Sequence, residues 1–255
     1  MPRKIAKYGW IPDLHDHRDM LYSAPYRHQQ LPAKMDLRDL CPPVYDQGHL
    51  GSCTANAIAA AMQLTRLKQK VAPDFVPSRL FIYYNERKME GTIEMDCGAH
   101  LRDGLKVVSK MGCCPEDEWS YDITKFAVEP LEKCYKDAVN DMVVQYSSLA
   151  QEINQLKGCL AEGYPFVFGF TVYDSFETET VAKTGIVNMP QATDTPLGGH
   201  AVMAVGYDDA TNCFIVRNSW GDQWGMNGYF TLPYNYLTES GLSADFWTIR
   251  SISNG

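Results

Sequence analysis

The sequence lacks the features that would place it in a membrane, in a secretory route or on nucleic acid. Among its 255 residues, no uncharged apolar run approaches the roughly 18 residues of a membrane-spanning helix. The opening residues, MPRKIAKYGWIPDLHDHRD, contain no apolar stretch of the kind found in secretory signals. Acidic residues outnumber basic ones, 31 to 23, and the net charge of −8 argues against general affinity for nucleic acid or anionic lipid. We therefore expect no membrane or nucleic-acid partner, and a cytoplasmic location or export without a recognisable signal.

Cysteine is too sparse for a disulfide-stapled scaffold, with eight in 255 residues. No C-x-x-C pair occurs, so neither a zinc ribbon nor a thioredoxin-type site is expected. Of the adjacent Cys113 and Cys114, we expect one to lie in the core and the other to be exposed. The run His15, Asp16 and His17 is interpreted as solvated, and no metal is predicted.

The predicted secondary structure changes from mainly helical to mainly β near residue 135. Segments without proline predict helices at 53–70, 78–89 and 101–111. The first half of the first helix is apolar on nearly every side, so this helix should be buried between other layers. Runs of β-branched and aromatic residues predict strands at 166–173, 200–207, 213–219 and 228–232. The fold class is therefore α+β, preceded by an extension, residues 1–34, that shows no periodicity.

The stretch DQGHLGSC, residues 46–53, has the composition of a nucleophile site. Cys53 should fall in the first turn of the buried helix, where unpaired N–H groups and the positive end of the dipole favour a thiolate. Gly51 and Ser52 allow a tight turn into the helix and leave the sulfur accessible. Gln47 carries two N–H donors that could stabilise an oxygen becoming negative during acyl transfer. A buried cysteine alone would be interpreted as core filling.

A second group of residues supplies a base. His200 opens one predicted strand, and Asn218 lies at the end of the next, so two neighbouring antiparallel strands could bring them together. A neutral amide can fix the imidazole ring through one nitrogen and leave the other facing a thiol. Trp220 and Trp224 follow closely and could shield this hydrogen bond from water.

The segments QGHLGSC, GHAVMAVGY and NSWGDQWGMNGY, in this order, resemble those of papain-like cysteine peptidases. MDLRD (35–39) and DCGAH (96–100) also resemble that family, and the likeness covers residues 35 to about 250. It implies a two-lobed α+β fold: a helical lobe (about 40–135), a β-barrel-like lobe (about 136–235) and a C-terminal segment (236–255). The cleft lies between the lobes, the peptidase domain spans 35–255, and residues 1–34 form the extension.

The resemblance implies a role for each matching residue. Cys53 is the nucleophile, paired with His200 as thiolate and imidazolium. Asn218 orients His200, Gln47 donates in the oxyanion hole, and Trp220 covers the His–Asn hydrogen bond at the substrate side. The protein is then an endopeptidase acting on peptides or proteins as a monomer, without metal or organic cofactor.

Five further positions match the family's substrate-binding residues. Gly98 and Ala99 offer backbone groups to an extended peptide. Leu101, Gly169 and Ala201 match the pocket for the second residue before the cleaved bond. The pocket is expected to be apolar, although acidic residues within 237–246 leave basic side chains open.

The sequence departs from the family pattern at several points. Many members join by a disulfide the positions that here hold Leu50 and Asp96, and Thr54 replaces the usual tryptophan. Ala99 replaces the second glycine of the substrate strand, and Gly199 stands where plant members often have aspartate. The short extension, in place of a long helical pro-segment, resembles that of bacterial members.

Two hypotheses for residues 1–34 stay open. The extension either plugs the cleft and is removed near residues 31–32, or it packs permanently on the back of the enzyme. Aromatic and proline residues suit the plug: Trp10, Pro12, Tyr22, Pro25 and Tyr26.

Two other function classes also stay open. A transglutaminase-like acyl transferase would share Cys and His but usually has aspartate as the third member, so Asn218 favours the peptidase. A non-catalytic scaffold of the same fold generally loses Cys or His, and both are present here.

Overall fold

Within residues 8–24 and 31–253, which this computed structural model describes, the chain forms seven α-helices, three short 3-10 helices and seven strands. The helices are α1 (Cys53–Gln69), α2 (Arg79–Glu90), α3 (Leu101–Lys110), α4 (Glu132–Ala138), α5 (Ile153–Ala161), α6 (Glu179–Thr184) and α7 (Tyr234–Thr238). The strands are β1 (Lys34–Asp36), β2 (Val143–Ser148), β3 (Phe166–Tyr173), β4 (Pro196–Asp208), β5 (Cys213–Arg217), β6 (Tyr229–Pro233) and β7 (Ser243–Ile252). No described helix has both the length and the apolar character needed to cross a membrane.

Helix α1 is the central element between the two parts of the fold. Every residue from Cys53 to Arg66 is buried, because α2 and α3 pack on one side and strands β4 and β7 on the other. This confirms the prediction that the first half of this helix is buried between other layers. The helix ends at Lys70, whose left-handed backbone (φ 57°) lets its N–H bond the carbonyls of Arg66 and Leu67. Cys53 is thus held at the start of a rigid, enclosed helix.

The strands form one antiparallel sheet in the order β2-β7-β3-β4-β5-β6, with β1 paired to β4. The path is open among the described strands, so the lobe is barrel-like without closing. Strand β3 matches the predicted 166–173, while β4 begins at Pro196 rather than at residue 200. Residues 236–255 were expected to form a C-terminal segment outside the β lobe. Strand β7 comes from these residues, yet it lies between β2 and β3 in the sheet. The C-terminal strand is therefore part of the β lobe.

Residues 8–24 of the extension cross the molecule in a mainly extended conformation, with one turn at residues 17–19. Near its described end, Tyr22 donates its N–H to the carbonyl of Ser148 on β2 (2.7 Å), and Ser148 donates to the carbonyl of Met20 (2.8 Å). Farther along, β1 pairs with β4 and leads into the helical lobe. Pro25 and Tyr26, which suited the plug hypothesis, lie outside the described residues.

Candidate active site

Cys53 lies at the first residue of α1, as its sequence context predicts. Its side chain is fully buried, and the backbone N–H groups of Ala201, Gly9 and Thr54 face the sulfur. Burial outweighs the favourable effect of these N–H groups and raises the pKa of the Cys53 thiol to about 12. The thiol is therefore protonated in this closed arrangement.

His200 and Asn218 meet where β4 and β5 run side by side. His200 Nε2 and Asn218 Oδ1 are 2.8 Å apart, and the Asn218 N–H donates to the carbonyl of Gly228. Among the described residues, His200 Nδ1 has no hydrogen-bond partner. Burial lowers the pKa of His200 to about 4, although its bond to Asn218 acts in the opposite direction. The resemblance implies a thiolate and an imidazolium, but Cys53 and His200 are both uncharged here because the site is closed to water.

Two tryptophans cover the bond between His200 and Asn218. The rings of His200 and Trp220 have centroids 5.1 Å apart and planes 30° from parallel. Trp224 meets Trp220 edge to face at 5.1 Å, and both indoles are nearly inaccessible. Because little water reaches this layer, the hydrogen bond lies in a low-dielectric environment.

Gln47 is fully buried, and its amide is fixed at both ends. Its Oε1 accepts from Ser219 Oγ at 2.6 Å, and its Nε2 donates to the carbonyl of Leu50 at 2.9 Å. Its backbone N–H also donates to the carbonyl of Ser219. Only one of the two side-chain N–H groups is used by Leu50. Ser219 was missed in the sequence, although it belongs to the same NSWG segment as Asn218.

Polar contacts occupy the positions where the sequence departs from the family. Asp96 accepts from the N–H of Gly51 at 3.0 Å and from the hydroxyl of Tyr83 at 2.6 Å, which joins the loop before Cys53 to the substrate strand. Thr54 donates its hydroxyl to Glu86 at 2.9 Å. Burial raises the pKa of Glu86 well above its ordinary value. These bonds fix the start of α1 without a disulfide.

The extension lies in the cleft beside Cys53. Ala99 donates its N–H to the carbonyl of Gly9 (2.8 Å) and accepts from the N–H of Ile11 (3.1 Å). On the other wall, the N–H of Trp10 donates to the carbonyl of Gly199 at 2.9 Å. The extension is thus bound by its backbone on both sides, parallel to the strand at Ala99.

Gly98 makes this approach possible. Its φ of +83° lies in the left-handed region, and a Cβ built on it would lie 2.0 Å from the carbonyl oxygen of Gly9. Gly98 and Ala99 are therefore placed where a bound peptide runs, as the resemblance implies.

The indole of Trp10 fills the pocket expected beside the cleft. A Cβ on Gly169 would lie 1.9 Å from the ring, and one on Gly199 would lie 2.5 Å from it. At the polar end, Trp10 Nε1 donates to Asp245 Oδ2 at 2.9 Å. Of the other expected pocket residues, Leu101 is buried at the start of α3, and Ala201 directs its N–H at the Cys53 sulfur.

Tyr8 extends the same contact over His200. The two rings have centroids 5.9 Å apart in an edge-to-face arrangement, and the Tyr8 hydroxyl donates to Glu177. No feature of the sequence indicated this pair, because Tyr8 and Glu177 are far apart along the chain.

Comparison with known proteins agrees with this architecture. A family described as "Papain family cysteine protease" matches residues 31–248. The uncharacterized peptidase C1-like protein L477 of Acanthamoeba polyphaga mimivirus is 46% identical over 217 residues, covering 82% of this chain and 70% of that protein. Pro-cathepsin H of Mus musculus is 28% identical over 230 residues, and the match spans only 60% of its length.

Among solved structures, xylellain, a cysteine protease from Xylella fastidiosa, superposes with a TM-score of 0.90 at 47% identity and covers 98% of both chains. The resemblance stated from the sequence, including the likeness to bacterial members, is thereby confirmed. The chain belongs to the papain family of cysteine proteases.

Proposed function

We propose that this protein is a cysteine peptidase that cleaves peptide bonds through a thioester acyl-enzyme on Cys53. One observation carries the proposal: an extended peptide, supplied by the chain itself, is bound by its backbone next to Cys53. The carbonyl of Gly199 and both backbone groups of Ala99 hold it there. A substrate peptide needs the same backbone partners.

The reaction begins when the extension leaves and water enters the cleft. The desolvation that holds Cys53 and His200 neutral is then relieved, and the thiol proton moves to His200 Nδ1. The thiolate attacks the substrate carbonyl, and the Cys53 N–H and an N–H of Gln47 stabilise the oxyanion. His200 protonates the leaving amine. It then takes a proton from water, which releases the acid and restores the thiol.

The docked extension is held as an inhibitor rather than as a substrate. An amide N–H, that of Gly9, faces the Cys53 sulfur. Attack requires a carbonyl carbon at that place, about 3–3.5 Å from the sulfur. A segment bound in this manner blocks the cleft without being cut. The chain with its extension docked is therefore a closed precursor.

The pocket that holds Trp10 supports an apolar or aromatic preference at that substrate position. The pocket is wide because Gly169 and Gly199 lack side chains. Asp245 would in addition accept a hydrogen bond from an indole or phenol, or pair with a basic group.

Product analysis tests the reaction class. The reduced protein, incubated with a defined peptide and an excess of a primary amine, is expected to yield mainly free carboxylic acid with a new peptide amino terminus. The products are identified by mass spectrometry. A predominantly amide product would support the transglutaminase-like alternative, and an intact peptide with no acyl adduct on Cys53 would support the scaffold.

Trp10→Ala tests inhibition by the extension. The substitution removes a buried indole, which costs roughly 3 kcal/mol and shifts the docking equilibrium about 100-fold towards release. We expect the full-length variant to hydrolyse peptide, and to be alkylated at Cys53 by an epoxide, up to about 100-fold faster than the parent. Leu14→Ala, at a residue of the same segment that is 84% exposed, is the matched control. Equal rates in the two variants would contradict the inhibition.

A further inference from the structure

A second group of reactive side chains lies in the helical lobe, apart from the cleft. Cys114 follows α3, Glu118 lies in the next turn, and Cys134 is on α4. The two sulfur atoms and a carboxylate oxygen of Glu118 all lie within 4.8 Å of one another. Cys114 and Cys134 are both buried. Cys113 is buried as well, so the prediction that either Cys113 or Cys114 would be exposed is wrong.

The two carboxylate oxygens of Glu118 differ in their hydrogen bonding. Its Oε1 accepts from Lys133 Nζ at 2.7 Å. Its Oε2 is buried and has no hydrogen-bond partner among the described residues. A buried carboxylate oxygen without a partner is costly, and this carboxyl group lies beside two sulfurs, which are only weak hydrogen-bond donors.

We propose that Cys114, Glu118 and Cys134 bind one thiophilic divalent cation, with Zn²⁺ as the fitting ion. Two thiolates and one carboxylate are ligands that Zn²⁺ takes, at about 2.3 Å for sulfur and about 2.0–2.2 Å for oxygen. Tetrahedral bonds of these lengths place ligand atoms roughly 3.5–3.8 Å apart. The three atoms therefore need to close by at most about 1 Å. Water fills the fourth position from the partly exposed side of Glu118.

Protons and charges balance without an oxidant or a reductant. Two metal–sulfur bonds and one metal–oxygen bond form, while two S–H bonds break and their protons go to solvent. Three negative ligands around one dication leave a single negative charge. The ammonium of Lys133, which bonds both Oε1 of Glu118 and the carboxylate of Asp137, offsets it in part. Because binding releases two thiol protons, affinity should fall steeply as the pH decreases.

A disulfide between Cys114 and Cys134 is the competing fate of the two thiols. It would leave Oε2 of Glu118 as unpaired as before, whereas a metal satisfies all three atoms. Cys113 is not part of the site, because its sulfur is not among the three ligand atoms that lie within 4.8 Å of one another. Metal binding would join α4 to the turn after α3 and restrain the long connection between them.

Metal titration tests this inference independently of the peptidase proposal. The full chain carrying Cys53→Ala, so that the cleft thiol cannot bind metal, is reduced, stripped with a chelator and titrated with Zn²⁺ and Cd²⁺. We expect one equivalent bound, about two protons released, a thiolate-to-Cd²⁺ ultraviolet band and a raised melting temperature. Cys114→Ser or Cys134→Ser should weaken binding by about 100-fold or more, and Glu118→Gln by about tenfold or more.

Cys113→Ser, an equally buried neighbour outside the site, should bind as the parent does. Circular-dichroism melting of the metal-free variants checks their folding, and Glu118→Gln keeps a ligand test available if a serine variant does not fold. No stoichiometric binding, unchanged affinity in Glu118→Gln, or a Cys114–Cys134 disulfide that persists in reductant would each overturn the metal site.

Discussion

Cys53→Ala is expected to lower kcat/KM for peptide hydrolysis by at least about 10⁴-fold, because no other group can form the acyl-enzyme. The thiol lies at the start of α1, with three backbone N–H groups directed at it and no competing nucleophile shown at that point. The measurement is hydrolysis of a fluorogenic peptide by the Trp10→Ala form, in which the cleft is open. Cys213→Ala, on β5, is the matched control and should retain activity.

The partners of Cys53 should give a graded series in the same assay. His200→Ala is expected to lose nearly as much activity as Cys53→Ala, since both proton transfers go through the imidazole. Asn218→Ala should lose less, about 10–100-fold, because Asn218 positions the ring through one bond and transfers no proton. Turnover retained in Cys53→Ala, or a larger loss in Asn218→Ala than in His200→Ala, would contradict the assignment.

The parts of the fold that were predictable are those with a strong local pattern. Helix α1 has an uninterrupted alanine-rich segment, and β3 has a continuous β-branched and aromatic run, so both were placed almost to the residue. The contact between His200 and Asn218 followed from the pairing of consecutive strands. In each case, residues close in sequence determine the structure.

The features that were not predicted depend on contacts between distant parts of the chain. Strand β7 lies inside the sheet because β2 and β3 pair with it, which the segment alone does not indicate. The path of residues 8–24 was left between two hypotheses. The bond from Trp10 to Asp245 joins opposite ends of the chain, and no local pattern records it.

The same long-range contact explains why the expected ion pair is absent from the closed site. The extension excludes water from Cys53 and His200, and desolvation favours the uncharged form of each. The chemistry implied by the motifs therefore belongs to the open state. Whatever weakens the docking of the extension also restores the charges needed for attack.

Raising the pH from 5 to 8 is expected to release the extension, through Asp13. The Asp13 carboxyl is buried against the β lobe. The backbone N–H of Asp13 donates to Asp245 Oδ2 at 2.8 Å. Its other neighbours are Trp247, which donates to Oδ2, His100, 3.6 Å away, and the backbone N–H of Arg102. Burial, and then the charge of Asp245, raise the pKa of Asp13 to about 7, while the guanidinium of Arg102 acts in the opposite direction.

The direction of the effect follows from where the proton is held more tightly. In the docked state the pKa of Asp13 is about 7, against an ordinary value of 3.8 once the extension is in solvent. The docked state therefore binds the proton more strongly, and this stabilisation is fully present below about pH 4. It is lost as the pH rises through about 7, so release should increase about 100-fold between pH 5 and pH 8. Two facing carboxylates would then repel each other across the docked interface.

Hydrogen exchange of the Trp10 and Ile11 amides measures this opening. Dividing each rate by that of Asp13→Asn at the same pH cancels the intrinsic base dependence of exchange, because the amide side chain does not titrate. The ratio should rise by about two orders of magnitude from pH 5 to pH 8. Asp16→Asn, at a carboxylate of the same segment already paired with Arg18, should leave that rise intact. A ratio that stays constant with pH would mean that Asp13 does not control docking, and that the extension must be removed by cleavage alone.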